Sequence, residues 1–343
     1  MAGGDVLMDR TEAAGIDPFA GISPLLASAD VAFVNVEMAI TSQGVPASKT
    51  FVFRAPSSAA ATIARAGIDV VSVANNHAVD YGEVGLLDTL DALASAGVVA
   101  VGGGPDDGEA YRHRMFEIPA GPTVAFVAAS QIMPSGFAAR SDRAGIADGS
   151  SQRERVLANV RVAASEADVV IASVHWGIER DTCPSATQRS FAQALLDAGA
   201  TAVIGHHPHV LQPVETTDTQ LVAYSLGNFI WHPRYGITGD TGVLRLEFED
   251  ASLTGWTFHP HLLNDRGGPE PVSSGTRHQR IVDIISGDCA RHDPPPVTTT
   301  PLTVPSTTTV PPTTTTTPPT TVPPTTTTTP PTTVPPTTTT SSS

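Results

Sequence analysis

Lysine is almost absent from this chain. Lys49 is the single one, against Lys+Arg 19 and Asp+Glu 34 in all, for a formal net charge of −15. Such a deficit of positive charge leaves no basic patch for general binding to a nucleic-acid backbone or an acidic membrane surface. A polyanionic substrate is not excluded, because metal ions held in a site reverse the local sign of the field. The use of arginine in place of lysine reads as compositional bias. Cysteine is equally scarce. Cys183 and Cys289 are the only two, and the lack of a CxxC spacing argues against a thiolate metal site or a redox pair. They are either two free thiols or one bridge tying the end of the domain to the Cys183 loop. No apolar run reaches the ~18–20 residues of a membrane span, and no secretion signal precedes the first motif.

From about Pro294 onward the chain is almost pure Thr, Pro, Val and Ser, without charge or aromatic residues. Such a segment cannot bury enough apolar surface to offset its chain entropy, so residues 294–343 are expected to be disordered and partly polyproline-extended. At ~3.1 Å per residue they would reach well over ~100 Å. The composition is that of a stalk beside a bacterial wall, with threonines open to O-glycosylation; a flexible spacer is the plain alternative.

Residues 1–293 remain as the globular part. Short apolar runs alternate there with helical patterns, which predicts an α/β domain. Val31–Val36, Val70–Ala74, Val98–Val101, Val124–Ala128, Val169–Val174 and Ala202–Ile204 read as strands covered on both faces. Leu86, Leu87, Leu90, Leu93 and Ala94 recur at helical spacing before Gly97, as do Phe191, Leu195 and Leu196 before Gly199. Leu221–Ser225, Val243–Phe248 and Leu253–Phe258 come without helices between them and predict an antiparallel portion. Ile281–Ile285 reads as a closing strand.

Residues of metal-ligand type recur where these strands end, the edge at which open α/β sheets bind ligands. Gly4-Asp5 stands at the start. Asn35-Val36-Glu37, Ala74-Asn75-Asn76-His77, His175-Trp176-Gly177 and Gly205-His206-His207-Pro208-His209 each close a predicted strand. Singly, each has an ordinary explanation, since Asp after Gly or an Asn pair makes a turn and a strand-end His is satisfied at the edge of a core. The His-Pro-His run is more telling, because Pro208 stiffens a loop carrying two imidazoles. Jointly the five strand ends point to a metal site built from Asp5, Glu37, Asn76, His77, His175, His207 and His209.

Taken in order, six stretches resemble the CapA family of poly-γ-glutamate capsule synthesis proteins, within the calcineurin-like metallophosphatase superfamily. They are Gly4-Asp5-Val6-Leu7-Met8-Asp9-Arg10, Asn35-Val36-Glu37, Ala74 to Gly82, Val174-His175-Trp176-Gly177-Ile178-Glu179, Gly205 to Gln212, and Tyr224-Ser225-Leu226-Gly227-Asn228-Phe229. The resemblance covers roughly residues 3–250. It implies two packed mixed sheets flanked by helices and a centre of two divalent metal ions, of Mn, Fe, Mg or Zn, whose preferences suit carboxylate, amide and imidazole ligands. Glu37 would bridge, Asp5 would bind the first metal, Asn76 and His175 the second, with His207 and His209 divided between them. His77 would protonate a leaving oxygen, with Asp80 orienting its ring and raising its pKa.

For substrate contacts, Asn228 either lines the pocket or forms a turn, Arg10 either grips an anionic group or lies on the surface, and Trp176 either walls the pocket or packs. Two positions depart from the superfamily. Leu7 stands where the first motif carries His, and Glu37 where Asp is usual, so the first metal would be weakly held or would recruit Asp9 or a water. Three residues before Gly4-Asp5 are too few for the central strand that this motif closes, so that strand is expected to be missing and a longer start, carrying an export signal, is expected. The readings are a metal-dependent hydrolase of a phosphoester or an amide linkage in an anionic polymer, a non-catalytic metal-dependent polymer-binding component of a capsule assembly or export system, and a surface protein with a vestigial pocket.

Overall fold

A computed structural model describes residues 1–288 except 10–14, 16 and 120; Arg10, Cys289 and the Thr/Pro-rich segment lie outside the described residues. Two mixed sheets form the frame. The first runs, in spatial order, Pro269–Pro271, Ser252–Leu263, Asp240–Glu249, Ala2–Val6, Phe33–Val36, Val70–Ser72 and Val99–Val101, with Asn228–Ile230 also paired to Ala2–Val6. The second runs Val214–Thr216, Leu221–Ala223, Ala202–His206, Val169–His175, Thr123–Ser130 and Arg114–Glu117. Their inner faces share one core, in which Phe33 of the first sheet stacks on Phe126 of the second at 5.6 Å between ring centroids. Helices cover both outer faces, which is why the central strands are buried along their whole length.

The strand expected to be missing is present. Ala2–Val6 occupies the middle of the first sheet, every residue buried. The expectation failed because it placed the strand before the Gly-Asp motif, whereas the motif is itself strand. Two neighbours share its open side: Ala2 pairs with Leu244, while Asp5 pairs with Asn228. A glycine at position 4 makes this passage fit, since a Cβ there would lie 2.0 Å from the Gly227 carbonyl oxygen.

Ile281–Ile285 is a second correction: it ends a helix, Gly275–Ile285, with Ile281, Ile284 and Ile285 buried. The i, i+3, i+4 spacing is helical, and a five-residue apolar run was too short to reveal it. The antiparallel portion is real in Asp240–Glu249, Ser252–Leu263 and Pro269–Pro271. Leu221–Ala223, by contrast, pairs parallel to Ala202–His206 and antiparallel to Val214–Thr216.

The helix Ala186–Asp197 lies against the second sheet through Phe191, Ala192 and Leu195. Its start is a full capping box. The Ser185 side chain accepts from the Gln188 backbone N–H, and the Gln188 side chain accepts from the Ser185 N–H. Ser185→Ala is therefore expected to cost about 1 kcal/mol, read as a fall of roughly 2–4 °C in Tm.

Candidate metal centre

Parallel strands of both sheets end at one edge, and the candidate ligands gather there. Asp5 is in the strand Ala2–Val6, Glu37 follows Phe33–Val36, Asn76 and His77 follow Val70–Ser72, and His175 closes Val169–His175. His207 and His209 follow Ala202–His206. Both hold positive φ, 97° and 56°, a left-handed backbone that costs non-glycine residues on the order of 1–3 kcal/mol. The loop is held by the His207 N–H donating to Asp5 Oδ2 at 3.3 Å and by the Arg180 N–H donating to the Pro208 carbonyl at 2.7 Å.

Two groups of side chains place donor atoms close enough to hold a metal ion. They are Glu37, His175 and His207, and Asp5, Glu37 and His209, each with ligand atoms within 4.8 Å of one another. Glu37 belongs to both. Its Oε1 lies 3.7 Å from His175 Nε2 and 3.7 Å from His209 Nε2. Asn76 Oδ1 adds an amide oxygen 2.9 Å from His175 Nε2, and His207 Nδ1 is 3.1 Å from the same nitrogen.

These groups fit divalent cations on their own chemistry. Glu37 is fully buried, and neither carboxyl oxygen has a hydrogen-bond partner in the structure. Burial, and then the charge of Asp5, raise its pKa well above the ordinary range. Burial alone would raise Asp5 too, but hydrogen bonds from His206 and His209 hold it well below. Burial, then His207, hold His175 well below its usual value, and burial, then His209, bring His207 down to about 4. Two imidazoles biased toward the neutral form beside a carboxyl without hydrogen-bond partners are the donor set that ligation requires. Leu7 is buried in the hydrophobic core, and Asp9 accepts from His232 at 2.6 Å.

His77 stands beside the cluster. Its Nδ1 is 2.7 Å from Asp80 Oδ2, and its ring stacks on Phe53 at 4.2 Å. Asp80 orients the ring as expected, but it does not raise the pKa overall. Burial outweighs it, and the net direction is downward.

The remaining substrate-contact candidates separate. Asn228 is buried and braces His209: its Oδ1 lies 3.0 Å from His209 Nδ1, and its Nδ2 donates to the His209 and Thr238 carbonyls. Trp176 does not wall the pocket. It is wholly buried between Phe191 and Tyr224, with its indole N–H donating to the Tyr224 carbonyl at 2.9 Å. Trp231 takes the neighbouring place, 4.6 Å from the His209 ring and edge-on to Phe53.

Several residues went unnoticed in the sequence. Asn75 donates to Asn35 Oδ1 at 3.1 Å and to the Val36 carbonyl, Asn35 donates to Asp5 Oδ1 at 2.9 Å, and the His77 N–H donates to Asn75 Oδ1. This buried amide chain ties three strand ends together. Both asparagines sit in the motif stretches, so the signal was there as buried amides beside ligands. His206, 3.3 Å from Asp5 Oδ1, was in view as part of the His-His-Pro-His run.

The family described as Bacterial capsule synthesis protein PGA_cap matches residues 1–233. The PGA biosynthesis protein CapA of Bacillus subtilis (strain 168) is 29% identical over 287 residues, 81% of this chain and 75% of that protein. The capsule biosynthesis protein CapA of Bacillus anthracis is 28% identical, covering 84% of this chain and 72% of its own length. A probable polyglutamine synthesis accessory protein of Mycobacterium tuberculosis (strain ATCC 25618 / H37Rv) is 32% identical over 59% of this chain and 55% of that one. Among solved structures, the TT1561 protein of Thermus thermophilus aligns at a TM-score of 0.40 and 9% identity, covering 70% of this chain and 92% of that chain.

Sharing of Glu37 between the two groups gives a test by calorimetric titration of metal-stripped protein with Mn²⁺ or Zn²⁺. The wild type is expected to take two equivalents. Glu37→Gln should weaken both, by at least about tenfold, whereas His209→Ala should weaken one and leave the other.

Proposed function

Because this chain belongs to the bacterial capsule synthesis protein family PGA_cap, we propose that it is a metal-dependent hydrolase of a phosphoester or related linkage in capsule or poly-γ-glutamate biosynthesis. The observation that carries this reading is Glu37, a fully buried carboxyl without a hydrogen-bond partner, common to both groups of candidate ligands. Asp5 and His209 would hold one divalent ion, and Asn76, His175 and His207 the other, with Glu37 between them. Two ions bound there would lower the pKa of a water and neutralise charge on a phosphoryl group.

The chain's own residues supply the rest. With His77 Nδ1 held by Asp80, Nε2 is the ring atom left to exchange a proton with a leaving oxygen. Burial keeps that ring neutral in the free protein, and a dianionic substrate beside it would favour the protonated, donating form. Phe53 and Trp231 hold the His77 and His209 rings from the side. The partners that suit the site are an anionic polymer or a phosphoester; the names of the Bacillus relatives speak of PGA and capsule biosynthesis, and work beside other capsule synthesis or export proteins at the cell surface is part of this proposal. No helix among the described residues is long and apolar enough to cross a membrane.

A second reading is a metal-dependent polymer-binding component without turnover. It is favoured by Leu7, which leaves the Asp5 side without the His usual in hydrolytic relatives of the superfamily. Assays with p-nitrophenyl phosphate and bis(p-nitrophenyl) phosphate on Mn²⁺-loaded protein separate the two. We expect turnover that His77→Ala lowers by roughly 10²–10⁴-fold with metal content unchanged. Metal-dependent retention of γ-linked glutamate polymer without turnover on either ester would favour the second reading, and indifference to His77→Ala would remove the assigned proton donor.

A further inference from the structure

The single lysine of the chain lies beside this centre. Its Nζ is 2.5 Å from Asp80 Oδ1, 2.5 Å from the Asn76 carbonyl oxygen and 3.2 Å from His77 Nδ1. Two oxygens, of the Asp80 carboxylate and the Asn76 carbonyl, thus converge on one ammonium with a compact head, while His77 Nδ1, whose proton faces Asp80, lies beside it. A guanidinium is bulkier and holds its donors in one plane, so it does not replace this single-nitrogen contact with two oxygens like for like.

The loop that carries Lys49 is fastened to the same aspartate. The Ala47 N–H donates to the Asp80 carbonyl at 2.8 Å, and the Phe53 N–H donates to Asp80 Oδ2 at 2.7 Å. The lysine side chain remains 18% exposed, and the carboxyl it meets is fully buried. Its charge is therefore paired within the protein, by the Asp80 carboxylate.

We propose that Lys49 is a positioning residue: its ammonium locks the Asn76–Asp80 turn, so that Asn76 Oδ1 and the His77 ring are presented to the metal cluster together. The inference rests on the reading of that cluster as a metal centre. Asn76 adjoins the group of His175 and His207, so the effect should be confined to one of the two metal equivalents.

Three measurements test it on the full chain. Mn²⁺ titration of Lys49→Met should show one equivalent weakened by about 10–100-fold and the other unchanged. Turnover should fall in kcat by a similar factor with KM within about twofold of wild type. Lys49→Arg should behave like Lys49→Met, because charge without the compact head does not restore the contacts. In the wild type, which avoids any folding defect of the variants, acetic anhydride should modify Lys49 at least about tenfold more slowly in the native protein than in urea. Restoration by Lys49→Arg, wild-type metal binding and turnover in Lys49→Met, or equally fast acetylation in the native protein would each overturn the inference alone. A wild type that binds no Mn²⁺ would overturn the metal reading itself, and this inference with it.

Discussion

A carboxylate buried without a hydrogen-bond partner is the constraint on which the site depends. Removing an ionised carboxyl from water costs several kcal/mol unless a charge or hydrogen bonds compensate. Glu37 has no hydrogen-bond partner, and Asp5 beside it adds repulsion that the Lys49 charge offsets only in part. Burial also pushes His175 and His207 beside it toward the neutral form, which disfavours them as its counter-charge. A cation shared between the groups would remove the penalty on all of them at once. That would explain why residues so poorly satisfied by one another are nonetheless packed together.

The fold serves that arrangement by bringing the C-terminal ends of parallel strands from two sheets to one edge. No single strand could deliver two carboxyls, an amide and three imidazoles into one small volume. The strand Ala2–Val6 is central both in the sheet and in the chemistry. Gly4 lets the Gly227–Asn228 backbone come close, Asn228 then braces His209, and Asp5 receives hydrogen bonds from Asn35 and His207. The Asn35–Asn75 pair joins that strand to the turn bearing His77. Rigid support of this kind would hold the proposed ligands and the proposed proton-transfer residue in fixed relation.

Much of this was legible in the sequence, for identifiable reasons. Strands buried on both faces leave continuous apolar runs, and polar residues that end such runs stand out, so Glu37, Asn76, His175, His207 and His209 were visible before any fold. The order of motifs made the assignment specific. Other features depend on three-dimensional neighbours. Trp176 and Trp231 look alike as isolated aromatics next to histidines, and only packing puts the first in the core and the second beside His209. Ile281–Ile285 is too short to show its period. The direction of the His77 pKa reflects a contest between Asp80 and burial, and burial cannot be read from a four-residue spacing. Lys49 lies in an irregular loop with no motif around it, and its rarity signals a role only once its contacts with the Asp80 carboxylate and the Asn76 carbonyl are seen.

The central claim is that Glu37 sits between two divalent ions. A crystal structure of the Mn²⁺-loaded protein, with anomalous differences collected at the manganese edge, tests it most directly. The account predicts two anomalous peaks flanking the Glu37 carboxylate, one against Asp5 and His209 and the other against Asn76, His175 and His207. A map without peaks at that carboxylate, or with a single peak held by other residues, would contradict it.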